Sequence, residues 1–345
     1  MISQLPLVSV IIATYNTQSY MLKESIESIL SQSYQDFEII LIDDKSTDDI
    51  DYSFLSDYHD ERIRFYQCEK NSGLAYCINW GIDLSKGKYI ARLDADDIAL
   101  PSRLAEQVRY MEKHKDTVVL ASRGISFGDR CFVAGAIPSN PEYIRAGFLL
   151  NCGIIHSSVM LRKSYLIDNK VFYDASVDRA QDYDLWTRID EHGDKIHMLK
   201  SCLCLYRIHD GQASNYQVSE AQKVCSTRIK RRVLSELYDP TEMDYKCQES
   251  LGFRRLVDGI FINDINCWMK KVFDINKKDR KYNQKYLKLS VLYKYCSVLR
   301  SNLSLKNMCY IFTHYPLEMI WIFGIVLYKG ILKFVYRRYI PLKYK

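Results

Sequence analysis

Tyr89-Ile90-Ala91-Arg92-Leu93-Asp94-Ala95-Asp96-Asp97 runs from a largely apolar segment straight into three carboxylates. The first five residues read as a buried strand, and Gly87 just before them closes a helical pattern over Leu74–Leu84 that opens after the turn Asn71-Ser72-Gly73. Working outward, Leu7-Val8-Ser9-Val10-Ile11-Ile12-Ala13 is a β-branched run of the kind that is buried on both faces of a parallel sheet. After Thr14-Tyr15-Asn16, residues Leu22, Ile26, Ile29 and Leu30 recur at helical spacing. Phe37-Glu38-Ile39-Ile40-Leu41-Ile42 is a second buried strand ending at Asp43-Asp44, Arg62–Tyr66 is a short third, and Pro101 precedes a helix over Ser102–Lys113. Strands alternating with helices predict an α/β fold with a mainly parallel twisted sheet flanked by helices. In such sheets ligands bind beyond the carboxyl ends of the strands. Thr14-Tyr15-Asn16, Asp43-Asp44 and Asp94-Ala95-Asp96 each follow a strand, and that coincidence marks a site.

Charge divides the chain. Residues 1–220 hold 23 basic against 32 acidic side chains, a net of −9, and residues 221–345 hold 25 against 10, a net of +15. An acidic front suits cation chemistry, and a basic back suits an anionic partner. The basic part reads as helical over Lys223–Leu237, Arg254–Phe273 and Lys285–Leu299. Two domains are therefore expected, 1–218 catalytic and 219–345 a C-terminal helical basic extension. The 11 cysteines are scattered, with no C-x-x-C pair and no regular framework, Cys202-x-Cys204 is too tightly spaced for an ordinary zinc pair, and they read as reduced thiols of a cytoplasmic protein. Residues Met1–Pro6 carry no basic n-region, and Val8–Ala13 is too short for a signal sequence, so no export is expected.

Two carboxylates at a strand end suit a hard divalent cation, which takes oxygen ligands and bridges to substrate phosphates. D-x-D by itself also describes a solvated acidic turn. Its neighbours decide. The ordered set Val8–Asn16, Ile42-Asp43-Asp44-Lys45-Ser46-Thr47-Asp48, Lys86–Asp97, His156-Ser157-Ser158-Val159-Met160 and Gln181-Asp182-Tyr183-Asp184-Leu185-Trp186 resembles glycosyltransferase family 2 across roughly residues 6–215. The resemblance implies a GT-A fold and inverting transfer from a nucleoside diphosphate sugar, with Mn²⁺ or Mg²⁺ as cofactor. Carried over block by block, it implies that Thr14, Tyr15 and Asp44 line the nucleoside pocket, Asp94 approaches the ribose or metal, and Asp96 is the principal metal ligand. It implies Asp182 as catalytic base, with Asp184 the fallback. Gln181 departs from the family, where Glu is usual. Arg207 is expected in a loop over the diphosphate and His209 in the metal shell. His156 and Ser157 either shape the acceptor mouth or are structural.

Met319–Tyr328 is ten residues without charge, followed by Lys329, Lys333, Arg337 and Arg338 with Ile331, Leu332, Phe334, Val335 and Tyr336 among them. It is short for a spanning helix, which needs ~20 apolar residues, and suits a helix lying in the headgroup region. Packing on protein is the alternative. The expected partners are a nucleotide-sugar donor, a glycan or lipid-linked acceptor and the cytoplasmic face of a membrane. No nucleic-acid module accompanies the charge. Two other functions remain open on sequence: a non-catalytic nucleotide-sugar-binding or scaffold member of the fold, and a metal-dependent nucleotidyltransferase.

Overall fold

A computed structural model describes residues 5–47, 52–129, 131–135, 138–191, 193, 195–209, 220–300 and 305–339, with the backbone alone for 305–309, 333 and 335–339. Asp48 and the loop after His209, and the side chains of Lys333, Val335, Tyr336, Arg337 and Arg338, lie outside the described residues.

The elements run β1 (Val8–Thr14), α1 (Ser19–Leu30), β2 (Phe37–Asp43), α2 (Phe54–Asp57), β3 (Ile63–Gln67), α3 (Leu74–Leu84), β4 (Tyr89–Asp94), β5 (Ile98–Ala99), α4 (Arg103–Lys113), β6 (Thr117–Gly128) and β7 (Val133–Ala134). There follow α5 (Pro141–Gly147), β8 (Met160–Arg162), α6 (Lys163–Asp168), α7 (Gln181–Glu191), β9 (Lys195–Ile208) and α8 (Glu220–Ser235). The last helices are α9 (Glu242–Phe253), α10 (Ile262–Asp279), α11 (Gln284–Arg300), α12 (Leu305–His314) and α13 (Pro316–Tyr339). Two compact units result, one built on Met1–Gly135 and Ile154–Ser219, the other on Ala136–Gly153 and Glu220–Val335.

In the first unit the strands lie in the order β3-β2-β1-β4-β8-β6-β9-β5, with β7 paired to β6. The long ladders, β1 with β2 and β4, β2 with β3, and β6 with β9, are parallel. The antiparallel ladders join only two or three residue pairs each. Every residue of β1 and β2 is buried, which is why both read as unbroken apolar runs. Leu22, Ile26 and Ile29 of α1 and Leu104, Val108 and Met111 of α4 pack with Val10, Ile12, Ile39, Leu41 and Leu93 of the sheet. Each such buried aliphatic side chain contributes ~1.5–3 kcal/mol. Register then levels the strand ends, because Thr14 pairs with Asp43 and Ala13 with Asp94.

Two polar residues interrupt the buried strands for a reason. Ser9 donates to Glu38 Oε1 (2.6 Å), and Glu38 also accepts from the Lys86 amide (2.7 Å) and the Arg64 guanidinium (2.8 Å). Burial raises the Glu38 pKa, but these donors outweigh it and hold the carboxyl below its ordinary value. The Gly87 amide donates back to Ser9 Oγ (2.8 Å), so the clamp seats the turn that launches β4.

The second unit is helical over its described residues. The helix expected over Arg254–Phe273 is interrupted: α9 closes at Arg254 in the left-handed region (φ 58°), and α10 starts only at Ile262. The Phe261 amide donates to Asp264 Oδ2 (2.9 Å), a cap that restarts the helix.

A Cβ at Gly87 would lie 2.6 Å from the Ser9 amide nitrogen, backbone that cannot move aside. Gly87→Ala is expected to lower unfolding free energy by ~1–3 kcal/mol, read as a lower urea midpoint with unchanged slope.

Candidate active site

The loops beyond β1 and β2 are laced together. Asn16, at φ 51°, donates its side-chain amide to Thr47 Oγ1 (3.0 Å) and accepts from the Thr47 amide (2.8 Å). The Asp44 amide donates to the Thr14 carbonyl (2.9 Å). The adjacent aspartates divide the labour. Asp43 accepts from Ser46 and Gln67 and shapes the loop. Asp44 accepts from the Ser72 and Gly73 amides (2.7 and 2.8 Å), holding the entry to α3 against the same loop. Thr14 is buried at this edge, while Tyr15 is 46% exposed and presents an aromatic face.

Asp44 also lies with Cys68 and Cys77, their ligand atoms within 4.8 Å of one another. The trio is a poor metal site. Both carboxylate oxygens already accept amides, and burial pushes both thiols up, away from the thiolate that binds metal.

Beyond β4 the carboxylates converge. Burial raises the Asp94 pKa, but the buried Arg92 guanidinium beside it and the Ser157 hydroxyl hold the carboxyl below its ordinary range. Ser157 Oγ in turn accepts from the Asp94 amide (3.2 Å). Asp97 behaves oppositely. It is 1% exposed, and burial together with the charges of Asp96 and Asp94 pushes its carboxyl well up. Its Oδ1 accepts from the Arg207 amide (2.8 Å) and fixes the end of β9 against the carboxylate loop.

Arg207 was expected in a loop over a diphosphate. It lies in the last residues of β9, which continues to Ile208 because its ladder with β6 keeps one register from Gly124 to Gly128. Its guanidinium donates to Glu24 Oε2 (2.7 Å) and to the Asp96 carbonyl (2.7 Å), and sits 4.5 Å from the Phe127 ring centroid. The side chain therefore braces the Asp96 loop. His209, just past the strand, has its Nε2 3.0 Å from Asp96 Oδ2. A carboxylate oxygen and an imidazole nitrogen meeting at one partly exposed point can turn to a shared divalent cation. With two protein donors the remaining positions fall to phosphate oxygens and water, as Mg²⁺ and Mn²⁺ prefer, so the residues present fit such an ion.

Asp182 sits in the first turn of α7, half-buried. Desolvation is the main cause that pushes its carboxyl up to about 6, and the charge of Asp94 adds to it, so the two groups face one electrostatic environment. Leu185 and Trp186, both 0% exposed, anchor the helix and fix the carboxylate. Asp184 is committed elsewhere: it accepts from Arg188 Nε (2.8 Å), whose guanidinium also reaches the Phe172 carbonyl (2.6 Å). Gln181 donates to the Asp178 carbonyl (3.0 Å). His156 contacts the Tyr173 hydroxyl (2.9 Å), and burial lowers its pKa to about 3, leaving it a neutral ring between Tyr173 and Trp186.

Sequence reasoning missed Arg92 and Glu24. Arg92 carried a signal, a lone cation inside a buried strand; Glu24 on α1 carried none.

The family model described as Glycosyl transferase family 2 matches residues 9–169. An uncharacterized glycosyltransferase of Methanocaldococcus jannaschii is 36% identical over 208 residues, covering 59% of this chain and 71% of its own length. The UDP-Glc:alpha-D-GlcNAc-diphosphoundecaprenol beta-1,3-glucosyltransferase WfaP of Escherichia coli is 34% identical over 218 residues, covering 62% of this chain and 82% of its own. Among solved structures, S. aureus TarS 1-349 in complex with UDP-GlcNAc superposes with a TM-score of 0.55 at 18% identity, covering 85% of this chain and 88% of that chain. The fold is thus GT-A-like, a mixed sheet flanked by helices with a helical C-terminal region.

Arg92→Met leaves the half-buried Asp94 without its cation beside other carboxylates and is expected to cost ~1–3 kcal/mol at neutral pH. Because the folded Asp94 pKa is lowered, that stabilisation is present above the unfolded carboxylate value and lost as pH falls through the folded one. Urea titrations across pH should therefore show the gap between variant and wild type closing in acid.

Proposed function

The chain belongs to glycosyl transferase family 2, and from that membership we propose that it moves a sugar, with inversion, from a UDP-sugar to a hydroxyl of a lipid-linked glycan during surface polysaccharide synthesis. The observation that carries this reading is Asp182, a carboxylate pushed up to about 6 in the electrostatic neighbourhood of the Asp94-Ala95-Asp96 loop. A general base works best with a pKa near the working pH, and such a base is worth ~10²–10⁴-fold. The donor and acceptor classes follow the printed activity of the E. coli relative, which uses UDP-Glc and a diphosphoundecaprenol-linked acceptor.

In this account Tyr15 stacks on the nucleobase, Thr14 and Asp44 border the nucleoside, and Asp94 meets the ribose or the metal. Asp96 with His209 would hold Mn²⁺ or Mg²⁺, a divalent metal being typical of the family. Bound there, the ion supplies Lewis-acid stabilisation of the negative charge on the departing diphosphate. Arg207 keeps the Asp96 loop in position through Glu24 and the Asp96 carbonyl. Asp182 takes the acceptor proton as the hydroxyl attacks the anomeric carbon from the face opposite the diphosphate. One protein carboxylate does the proton chemistry; a hydrolase would typically need a second as acid. The non-catalytic alternative gains nothing from Gln181, which makes an ordinary contact at a helix start.

A lipid-linked acceptor calls for a membrane surface. Among the described residues no helix is long and apolar enough to cross a membrane. α13 nevertheless exposes Leu317, Ile320, Phe323, Leu327, Ile331 and Phe334 at 51–71%. The proposal is that this helix lies in the headgroup region and holds the enzyme peripherally at the cytoplasmic face.

A screen of UDP-, GDP- and dTDP-sugars, following nucleoside diphosphate release, tests the reading directly; release from none of them, with Mn²⁺ present, refutes it. Asp182→Asn is expected to abolish transfer while UDP-sugar binding, followed by calorimetry, stays within a few-fold of wild type. The same change should leave Tm equal or higher, since it removes a carboxylate whose ionised form the fold disfavours at neutral pH. Asp96→Ala should weaken binding and transfer together. For wild type, kcat/KM should climb as pH rises through about 6 and then level off, because only the ionised Asp182 accepts the proton.

A further inference from the structure

We propose that the second unit carries a phosphate-binding pocket that takes the headgroup of an anionic membrane lipid. This rests on the peripheral-membrane reading above and adds to it a defined site. A cavity of about 490 Å³ opens at the turn between α10 and α11, lined by Arg145, Lys277, Arg280, Lys281 and Tyr282 with Glu142 the one carboxylate among its lining residues. Lys281 is committed to Glu236 (2.5 Å). Lys277 and Arg280 are exposed, and neither side chain has an ion pair or hydrogen bond among the described residues.

The frame around these cations is rigid. Asn276, 1% exposed, donates to the Tyr282 carbonyl (3.0 Å) and to Gln284 Oε1 (2.6 Å) and accepts from the Tyr282 amide (2.8 Å). Gln284 donates onward to the Phe273 carbonyl (3.1 Å). The 17-residue helix α11 begins at Gln284, within the lining, and the Asn283 side chain caps it by accepting from the Lys285 amide (3.2 Å), which fixes the turn further. Cations on a fixed turn thus form a concave site for a phosphate group.

The neighbouring surface identifies the source of that phosphate. Lys285, one residue beyond the lining, holds its Nζ 4.3 Å from the Trp321 ring centroid on α13, and Lys288 pairs with Glu318 (3.3 Å). The pocket end of α11 therefore lies beside the start of α13, where Leu317, Ile320 and Trp321 are 71%, 69% and 53% exposed. A free phosphate needs no apolar neighbour. A phospholipid presents an anionic phosphate next to hydrocarbon, the complement of this surface.

The test is co-sedimentation of the full chain with vesicles of phosphatidylcholine alone or mixed with phosphatidylglycerol. Wild type is expected to bind the mixed vesicles more tightly. The double variant Lys277→Gln/Arg280→Gln should bind mixed vesicles roughly thirtyfold more weakly, with binding to phosphatidylcholine and Tm unchanged. A charge-matched pair outside the lining, Lys223→Gln/Lys270→Gln, should lose far less. Equal loss in the two double variants, or none in the first, overturns the pocket and leaves the membrane reading standing. Wild type that sediments with neither vesicle overturns both. If inorganic diphosphate raises the Tm of wild type but not of the pocket variant, while both bind mixed vesicles equally, the site belongs to a soluble phosphate and the lipid assignment is wrong.

Discussion

One buried guanidinium makes the active-site neighbourhood possible. Arg92, 1% exposed in the middle of β4, stands beneath a loop that brings Asp94, Asp96 and Asp97 within four residues of one another. Without an internal cation such a set could not hold its charges apart from water. With it, the carboxylates take different protonation behaviour from their surroundings alone. Asp94 beside the guanidinium is held low, Asp97 away from it is pushed well up, and Asp182 stands near 6. Environments that push titratable groups apart mark acid–base chemistry. Asp97 serves structure, anchoring the Arg207 amide.

The sheet supplies the geometry for this arrangement. Parallel register ends β1, β2 and β4 at one level, so three polar loops meet without any of them having to be long. Side-chain bonds then stiffen the meeting point: Asn16 with Thr47, Asp44 with the α3 entry, Ser25 with the Asp94 carbonyl (3.0 Å). Preorganised loops of this kind lose little freedom when a nucleotide binds, which is where binding energy is otherwise dissipated. Arg207 belongs to the same scheme. Its forked guanidinium ties Glu24 of α1 to the carbonyl of Asp96 and so braces the loop that carries that carboxylate.

The second unit solves a different problem with the other charge. Its helices bury apolar faces in their own core, as Leu287, Val291, Leu292 and Tyr295 of α11 do, while two of its cations, Lys230 and Lys294, are buried with them.

Much of this was legible in the chain alone. Residues 74–84 form the helix that their pattern predicts, and the buried strands were announced by runs such as Val8–Ala13, because burial on both faces leaves no polar phase to confuse the period. The acidic loop after β4 was visible because carboxylates at a strand end are a local pattern. What the chain could not disclose depends on contacts between distant residues. That the Asp97 carboxyl is pushed well up, that Asp184 is bound to Arg188, and that Arg207 is held by Glu24, 183 residues away, are matters of desolvation and partner geometry. Nor does any periodicity reveal that Ala136–Gly153 packs with the C-terminal helices. Sequence determines which side chains are present and which elements they prefer; only the folded chain decides which charges share a low-dielectric space, and that sharing sets their chemistry.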